Sequence, residues 1–231
     1  MIENKIKNTF LDYFFPSYCF NCKNPVDKGK VICDECYEEM QFTNKNACIK
    51  CGLSQKQCQC KFTVFHFNFL SAPFVNEDIA KKGIYSLKFF NNKVLTDFYA
   101  EHMVKSFAER TEERQFSIVT YVPMSFHGYF KRGYNQAFLL AEKVAEMLSL
   151  PVEATLKRNI FSSTQHKTSS VDERFENAYN SYRYIKNVKG RVLLIDDIKT
   201  TGASLEACAR ELLKAGADEV YCLTALVGNK N

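Results

Sequence analysis

VLLIDDIKTTGAS, residues 192–204, is the stretch that decides the fold of the larger part of the chain. An apolar run predicts a strand that ends at two carboxylates, Asp196 and Asp197, and a short loop of small and hydroxyl residues then leads into a helix. In open α/β sheets, ligands bind beyond the carboxyl ends of the strands. Amides at the start of a helix attract phosphate, and a glycine such as Gly202 lets the backbone approach it closely. The carboxylates accept hydrogen bonds from vicinal hydroxyls, so the segment predicts a ligand with a 5′-phosphate and a ribose diol.

An alternative is that the segment is only a strand, a loop and a helix that pack and cap themselves, with the two aspartates in a turn. We disfavour it because a pair of carboxylates beside a buried strand costs free energy unless a ligand or partner compensates. The hydroxyls of Thr200, Thr201 and Ser204 also add donors for an anion.

Strand and helix patterns alternate on both sides of this segment. Apolar runs such as SIVTYV predict buried strands, and apolar residues at helical spacing predict helices. This alternation is typical of an α/β domain with a parallel sheet flanked by helices. The predicted strands are 64–72, 117–122, 191–195 and 219–227, and the predicted helices are 77–89, 93–110, 134–148 and 204–214.

The composition excludes several classes of protein. Of 231 residues, 46% are hydrophobic and 25% are charged, which excludes disorder and collagen. No apolar stretch reaches the ~18 residues that cross a bilayer, so we expect no membrane insertion. Lys5, Lys7 and Asp12 interrupt the apolar residues of the N-terminus. We therefore expect no signal peptide and a cytoplasmic location.

Cysteine is concentrated in a cysteine-rich head, which we define as residues 1–62. Eight of the ten cysteines lie there in four close pairs, three of them C-x2-C and the last C-x-C. Such spacings allow two thiolates from one tight turn to reach the same metal. Sequential pairing predicts a double zinc ribbon, with Zn²⁺ held by Cys19, Cys22, Cys33 and Cys36 in a first cluster and by Cys48, Cys51, Cys58 and Cys60 in a second. The C-x-C pair is the less standard ligand pair, so the number of zinc ions, one or two, stays open.

Other uses of the head remain alternatives. A disulfide framework conflicts with a reducing compartment, whereas an iron–sulfur or redox role stays open. The head is too short to fold on an apolar core, so bound metal would have to stabilise it. Two loaded sites would make the head net negative, which favours a structural or docking role over the main contact with nucleic acid.

Residues 192–204 resemble the thirteen-residue phosphoribosyl pyrophosphate (PRPP) motif of type I phosphoribosyltransferases. The whole chain resembles the ComF family of competence proteins, of the ComFC type, in which a zinc ribbon precedes a phosphoribosyltransferase domain. RGYNQAFLLAE at 132–142 and IVTYVPMSFH at 118–127 are similar to segments of that family. The resemblance implies a type I phosphoribosyltransferase-like domain at 63–231, after the head at 1–62.

The resemblance also implies roles for individual residues. Asp196 and Asp197 would hold the ribose diol as the catalytic pair. His127, in the turn after the strand 117–122, would face pyrophosphate and Mg²⁺, and Arg132 would belong to a mobile loop that closes on the anion. A plain loop histidine and a solvated arginine are the alternatives. The phosphate loop, residues 199–204, would cradle the 5′-phosphate through Lys199, Thr200, Thr201, Gly202, Ala203 and Ser204. Ile198 and Lys199 depart from the family pattern, which has valine and a small or polar residue there.

Two functions are consistent with the resemblance. The first is a competence protein that binds PRPP or a related phosphoribosyl compound and assists uptake or handling of single-stranded DNA in natural transformation. Residues 156–191 hold eight Lys and Arg against three acids, which suits single-stranded DNA as a partner. The second is an active phosphoribosyltransferase of nucleotide salvage with no DNA role. The family also suggests a helicase-like partner and a peripheral position at the inner face of the membrane, while catalytic turnover and the acceptor base stay open.

Overall fold

The computed structural model describes residues 17–58, 60, 65–90, 93–112, 115–159 and 179–228. Its central feature is a parallel sheet in the order β3-β9-β8-β5, with the short β4 also paired to β9. The strands are β1 Ser17–Tyr18, β2 Pro25–Val26, β3 Phe69–Ser71, β4 Phe74–Val75, β5 Ile118–Tyr121, β6 Leu156–Arg158, β7 Tyr182–Tyr184, β8 Arg191–Lys199 and β9 Glu219–Val227. The helices are α1 Asp34–Glu38, α2 Asp78–Phe90, α3 Lys93–Arg110, α4 Phe126–Arg132, α5 Gln136–Leu148 and α6 Ala203–Lys214. The predicted α/β class is confirmed.

Strand β8 is buried on both of its faces, as its continuous apolar run predicts. Leu193 and Ile195 pack with apolar residues of α2, α3 and α5 on one side of the sheet. Val192 and Leu194 pack with residues of α6 on the other side. Period-two alternation along one strand therefore divides the apolar core into two layers.

The ends of β5 and β8 form a topological switch point. Pairing between the two strands stops at Tyr121 and Ile195, but β8 continues to Lys199 beside β9. After β5 the chain enters α4 and α5, whereas after β8 it enters α6 on the opposite face. Loops that leave neighbouring strands towards opposite faces leave a crevice between them, where ligands of this fold class bind.

The cysteine-rich head shares its core with the sheet domain. Cys19, Ile32 and Met40 are buried in the same apolar cluster as residues of α2 and α3. The guanidinium of Arg110 donates to the carbonyl of Ala47 in the head at 2.9 Å and to that of Leu70 in β3 at 3.1 Å. The predicted boundary after residue 62 falls within 61–64, which lie outside the described residues.

Several details differ from the sequence predictions, and three of them bear on the site. Strand β8 runs to Lys199 instead of ending at residue 195, because β9 continues to pair with it. Strand β3 begins at Phe69, since residues 65–68 form a bend before it. Residues 126–132 form a helix that was not predicted. Among the helices described, none is long and apolar enough to cross a bilayer.

Replacing Ile195 by alanine tests the importance of the buried strand, because its side chain is fully buried. We expect the free energy of unfolding to fall by about 2–5 kcal/mol, the usual cost of such a truncation. Ile185→Ala is the matched control, since Ile185 is about half exposed. Urea unfolding followed by circular dichroism measures both, and equal losses would contradict the burial described for β8.

Candidate functional site

The acidic pair lies in the part of β8 that extends beyond β5. Asp196 and Asp197 are both half-buried, and the amide of Asp197 donates to the Oδ1 atom of Asp196 at 2.9 Å. The charge of Asp196 acts on the buried thiol of Cys208 in α6, which places it on the α6 side of the sheet. Both aspartates border the switch-point crevice, because β5 has already ended there.

The phosphate loop leads from β8 into the first turn of α6. Gly202 has φ of +86°, a left-handed conformation that favours glycine, and its carbonyl accepts the amide of Glu206 at 2.9 Å. The amide of Ala203 donates to Oγ1 of Thr201 at 3.3 Å. The hydroxyl of Tyr182 in β7 donates to Oγ of Ser204 at 3.3 Å. The loop therefore brings small residues, hydroxyls and the positive end of a twelve-residue helix to the crevice.

Lys199 occupies an unexpected position within this loop. Its side chain is buried, and desolvation lowers the pKa of its ammonium group while the four cysteines of the second cluster act in the opposite direction. A Cβ placed on Gly202 would lie 3.4 Å from Cε of Lys199. The lysine stem thus packs against the glycine of the loop, and its charge lies in the field of the second cysteine cluster.

The other side of the crevice is formed by the segment that follows β5. Oγ of Ser125 accepts the amide of Gly128 at 3.0 Å and thereby begins α4. His127 is therefore an exposed residue in the first turn of a helix and not a residue of an open loop. Arg132 is half-buried at the end of α4, where its guanidinium donates to Oε1 of Gln136 at 2.9 Å. In the RGYN segment, Asn135 donates to the carbonyl of Val122 at 3.0 Å and caps α5, which fixes this side of the crevice.

Sequence reasoning missed one buried polar contact beside the phosphate loop. Glu206, in the first turn of α6, is almost fully buried and accepts the backbone amide of His66 at 3.0 Å. Its other oxygen contacts Nδ1 of the His66 ring. An acid in the first turn of a helix is a recognisable pattern. Its partner, however, lies 140 positions away, and no local pattern points to it.

Both cysteine clusters have the geometry of metal sites. Within each cluster the four Sγ atoms lie within 4.8 Å of one another. Tetrahedral zinc with Zn–S bonds of about 2.3 Å needs sulfur atoms about 3.8 Å apart. The two sets of ligands are Cys19, Cys22, Cys33 and Cys36, and Cys48, Cys51, Cys58 and Cys60. The ligand sets expected from spacing are therefore assembled, and they fit Zn²⁺.

Backbone amides favour the thiolate form of one cysteine in each cluster. Burial opposes ionisation of Cys19, but hydrogen bonds from the backbone at Cys22, Cys33 and Asn21 lower the pKa of its thiol to about 6. Burial also opposes ionisation of Cys48, but hydrogen bonds from the backbone at Cys51 and Lys50 outweigh it and lower the pKa of this thiol to about 7. Thiolates are the form that binds metal. By contrast, burial raises the pKa of the thiols of Cys208 and Cys222, which pack in the core as small apolar residues.

Comparisons with known proteins agree with these features. Residues 10–62 match the double zinc ribbon domain family. The chain is 26% identical to DNA utilization protein YhgH of Escherichia coli (strain K12) over 90% of this chain and 96% of that protein. It is 26% identical to competence protein ComFC of Bacillus subtilis (strain 168) over 80% of this chain and 79% of that protein. It is 33% identical to competence protein F of Haemophilus influenzae over 43% of this chain and 45% of that protein.

Two solved structures of phosphoribosyl enzymes match part of the chain weakly. A glutamine PRPP amidotransferase from B. subtilis matches with a TM-score of 0.40 and 19% identity over 61% of this chain and 30% of its own. A purine phosphoribosyltransferase from Pyrococcus horikoshii matches with a TM-score of 0.36 and 15% identity over 58% of this chain and 87% of its own. The match of residues 10–62 confirms the predicted double zinc ribbon, and the relatives named competence protein agree with the resemblance drawn from the sequence motifs.

The two clusters predict two zinc ions per chain. We expect metal analysis by mass spectrometry to find two equivalents in the intact protein and one in Cys22→Ser, because three thiolates hold zinc less firmly than four. Cys208→Ala should keep both ions, since this buried cysteine lies outside the clusters. Two equivalents in Cys22→Ser, or one in the intact protein, would contradict the assignment.

Proposed function

We propose that this chain, a ComF-type protein that joins a double zinc ribbon to a phosphoribosyltransferase-like domain, binds PRPP or a related phosphoribosyl compound and assists the handling of single-stranded DNA in natural transformation. The observation that carries the proposal is the switch-point crevice, where an acidic pair on β8 precedes a glycine-containing loop and a helix N-terminus. Relatives named competence protein ComFC and DNA utilization protein support the DNA role.

Each side of the crevice has its own part in binding the ligand. Asp196 and Asp197 accept hydrogen bonds from the ribose hydroxyls, and the phosphate loop surrounds the 5′-phosphate with amides and hydroxyls. The segment from Pro123 to His127, which ends in the first turn of α4, faces the pyrophosphate, and Arg132 at the end of α4 offers a charge close to it. Mg²⁺ would neutralise part of the pyrophosphate charge while keeping several waters of its own.

A catalysed transfer is the alternative function, without a DNA role. In such a reaction the bond between C1 of ribose and the pyrophosphate oxygen breaks, pyrophosphate leaves with the electron pair, and a nitrogen of the acceptor base uses its lone pair to form the new bond to C1. The positive charge that develops on the sugar is stabilised by nearby carboxylates.

A pyrophosphate assay distinguishes an active transferase from a module that only binds the ligand. The protein is incubated with PRPP, Mg²⁺ and each nucleobase in turn. Pyrophosphate release favours the enzyme, and retained binding without release favours a binding module.

Exposed aromatic and basic residues next to the crevice support the DNA role. Phe126, Tyr129 and Phe130 project from α4 with 61%, 54% and 75% of their surfaces exposed, and Lys131 is exposed beside them. No acid occurs between residues 115 and 141. Aromatic rings stack on bases and lysine attracts phosphates, which together suit a single strand. The antiparallel pair of β6 and β7 adds exposed basic residues from the basic segment 156–191. Residues 160–178 of that segment lie outside the described part of the chain.

The proposal includes a location and an organisation for the protein. We place it in the cytoplasm, at the inner face of the membrane beside the DNA-uptake machinery, with a helicase-like ATPase as partner. The head at 1–62 and the phosphoribosyltransferase-like domain at 63–231 act together, since they share buried contacts. Coimmunoprecipitation from a naturally transformable host tests the partner.

Replacing the acidic pair tests the ribose contacts. We expect Asp196→Asn and Asp197→Asn each to weaken PRPP binding by about 10–100-fold, because hydrogen bonds to charged groups are worth about 1.5–3 kcal/mol. Titration calorimetry with Mg²⁺ present measures the affinity. Asp218→Asn is the control, because Asp218 is exposed at the opposite end of the sheet, just before β9. Unchanged affinity in both site variants would remove the ribose assignment.

Truncating one exposed ring tests the contact with DNA. We expect Phe130→Ala to weaken binding of a fluorescent oligothymidylate by about 1–3 kcal/mol, the usual contribution of one stacked base. Tyr85→Ala is the control, since Tyr85 is another exposed aromatic residue, with half of its surface exposed, but lies on α2. Anisotropy at several salt concentrations should show affinity falling as salt rises. Absent or salt-independent binding would exclude the DNA role.

A further inference from the structure

The second cysteine cluster adjoins the carboxyl end of the central sheet. Cys51 and Leu53 are buried with Ala72 and with Val227, the last residue of β9. Gly52 approaches the same valine so closely that a Cβ there would lie 3.0 Å from its Cγ2 atom. Val227 in turn pairs with Lys199, the last residue of β8 and the first of the phosphate loop. The cluster is therefore one strand away from the loop.

Lys199 carries a buried charge between these two features. Its residue surface is only 6% exposed. A buried ammonium group is costly unless opposite charge compensates it. Gly52, next to Cys51, packs against Val227, which neighbours Lys199 in the sheet, and the four cysteines of the second cluster act to raise the pKa of the Lys199 ammonium group. A zinc ion held by four thiolates has a net charge of about −2, so the loaded cluster supplies that compensation.

The same side chain supports the backbone of the phosphate loop. A Cβ on Gly202 would meet Cε of Lys199 at 3.4 Å and Cγ at 3.9 Å, so the lysine stem lies directly against the glycine. The carbonyl of Lys199 accepts the amide of Gly228 at 3.0 Å, which holds its backbone beside the end of β9. Movement of this side chain would therefore displace the glycine at which α6 begins.

We propose that Lys199 is a positioning residue that couples the second zinc site to the phosphate loop, and does not contact the ligand phosphate itself. The zinc–thiolate cluster holds the ammonium group, and the stem then holds Gly202 in the conformation that binds phosphate. Loss of the second zinc ion removes the counter-charge, the lysine leaves its buried position, and the affinity for the phosphoribosyl ligand falls. This coupling rests on the proposed function of the loop.

Two measurements on Lys199→Met test the coupling. We expect one of the two zinc ions to pass to a chromophoric chelator about 10–100-fold faster than in the intact protein. Loss of a residue that supports the ligands of a metal commonly weakens metal binding by about this factor. We also expect calorimetry to show PRPP binding about tenfold weaker, within the usual range of coupling between two sites. Lys189→Met is the control, because Lys189 is exposed near the opposite end of β8. Weaker PRPP binding with unchanged zinc release would show a direct phosphate contact and overturn the proposal.

Disruption of each cluster tests the coupling from the other direction. We expect Cys58→Ser, in the second cluster, to weaken PRPP binding about tenfold, and the double variant with Lys199→Met to weaken it little further. Lys56→Met, at an exposed position between two ligands of the same cluster, should retain normal affinity. Normal PRPP binding by Cys58→Ser overturns the proposal even if Lys199→Met does not fold. Failure of the intact protein to bind PRPP would instead reject the proposed function, while the zinc-release measurement would still report on Lys199.

Discussion

Strand β8 extends four residues beyond the end of its pairing with β5, and the other features of the crevice depend on this extension. Beyond Ile195 the strand is held by β9 on one side only, so Asp196 and Asp197 follow a fully buried apolar run and remain half-buried. The same extension carries the phosphate loop to the edge of the sheet, where α6 begins. A shorter β8 would leave Asp196 and Asp197 in a mobile turn. Burial of the middle of β8 thus fixes the positions of the two carboxylates and of the phosphate loop at its end.

The cysteine-rich head supports this edge from outside. It contributes buried residues to the core next to α2 and α3, and its second cluster packs against the end of β9. A metal-stabilised module commonly buries little apolar surface of its own. Here the sheet domain supplies the missing surface, and the head covers apolar residues of the sheet in return. The double zinc ribbon is therefore part of the support of the crevice as well as an appendage of the chain.

The sequence predicted the sheet class, most helices and both cysteine clusters, because each depends on patterns within a short window. The apolar run 191–195 and the C-x2-C pairs are such patterns. Helix α4 was missed because its aromatic residues are exposed and show no apolar stripe. The contact of His66 with Glu206 and the burial of Lys199 depend on residues that are distant in sequence. The roles of the crevice residues in ligand binding remain predictions.

The core shared by the head and the sheet domain also limits how such a chain can change during evolution. Modules joined by a flexible linker are readily exchanged between genes, because each retains its own stability. Here Arg110 bonds carbonyls of both parts, and apolar residues of both parts fill one cluster. Recombination that replaced the ribbon alone would expose that cluster to water, so a new ribbon would need to reproduce the same buried contacts.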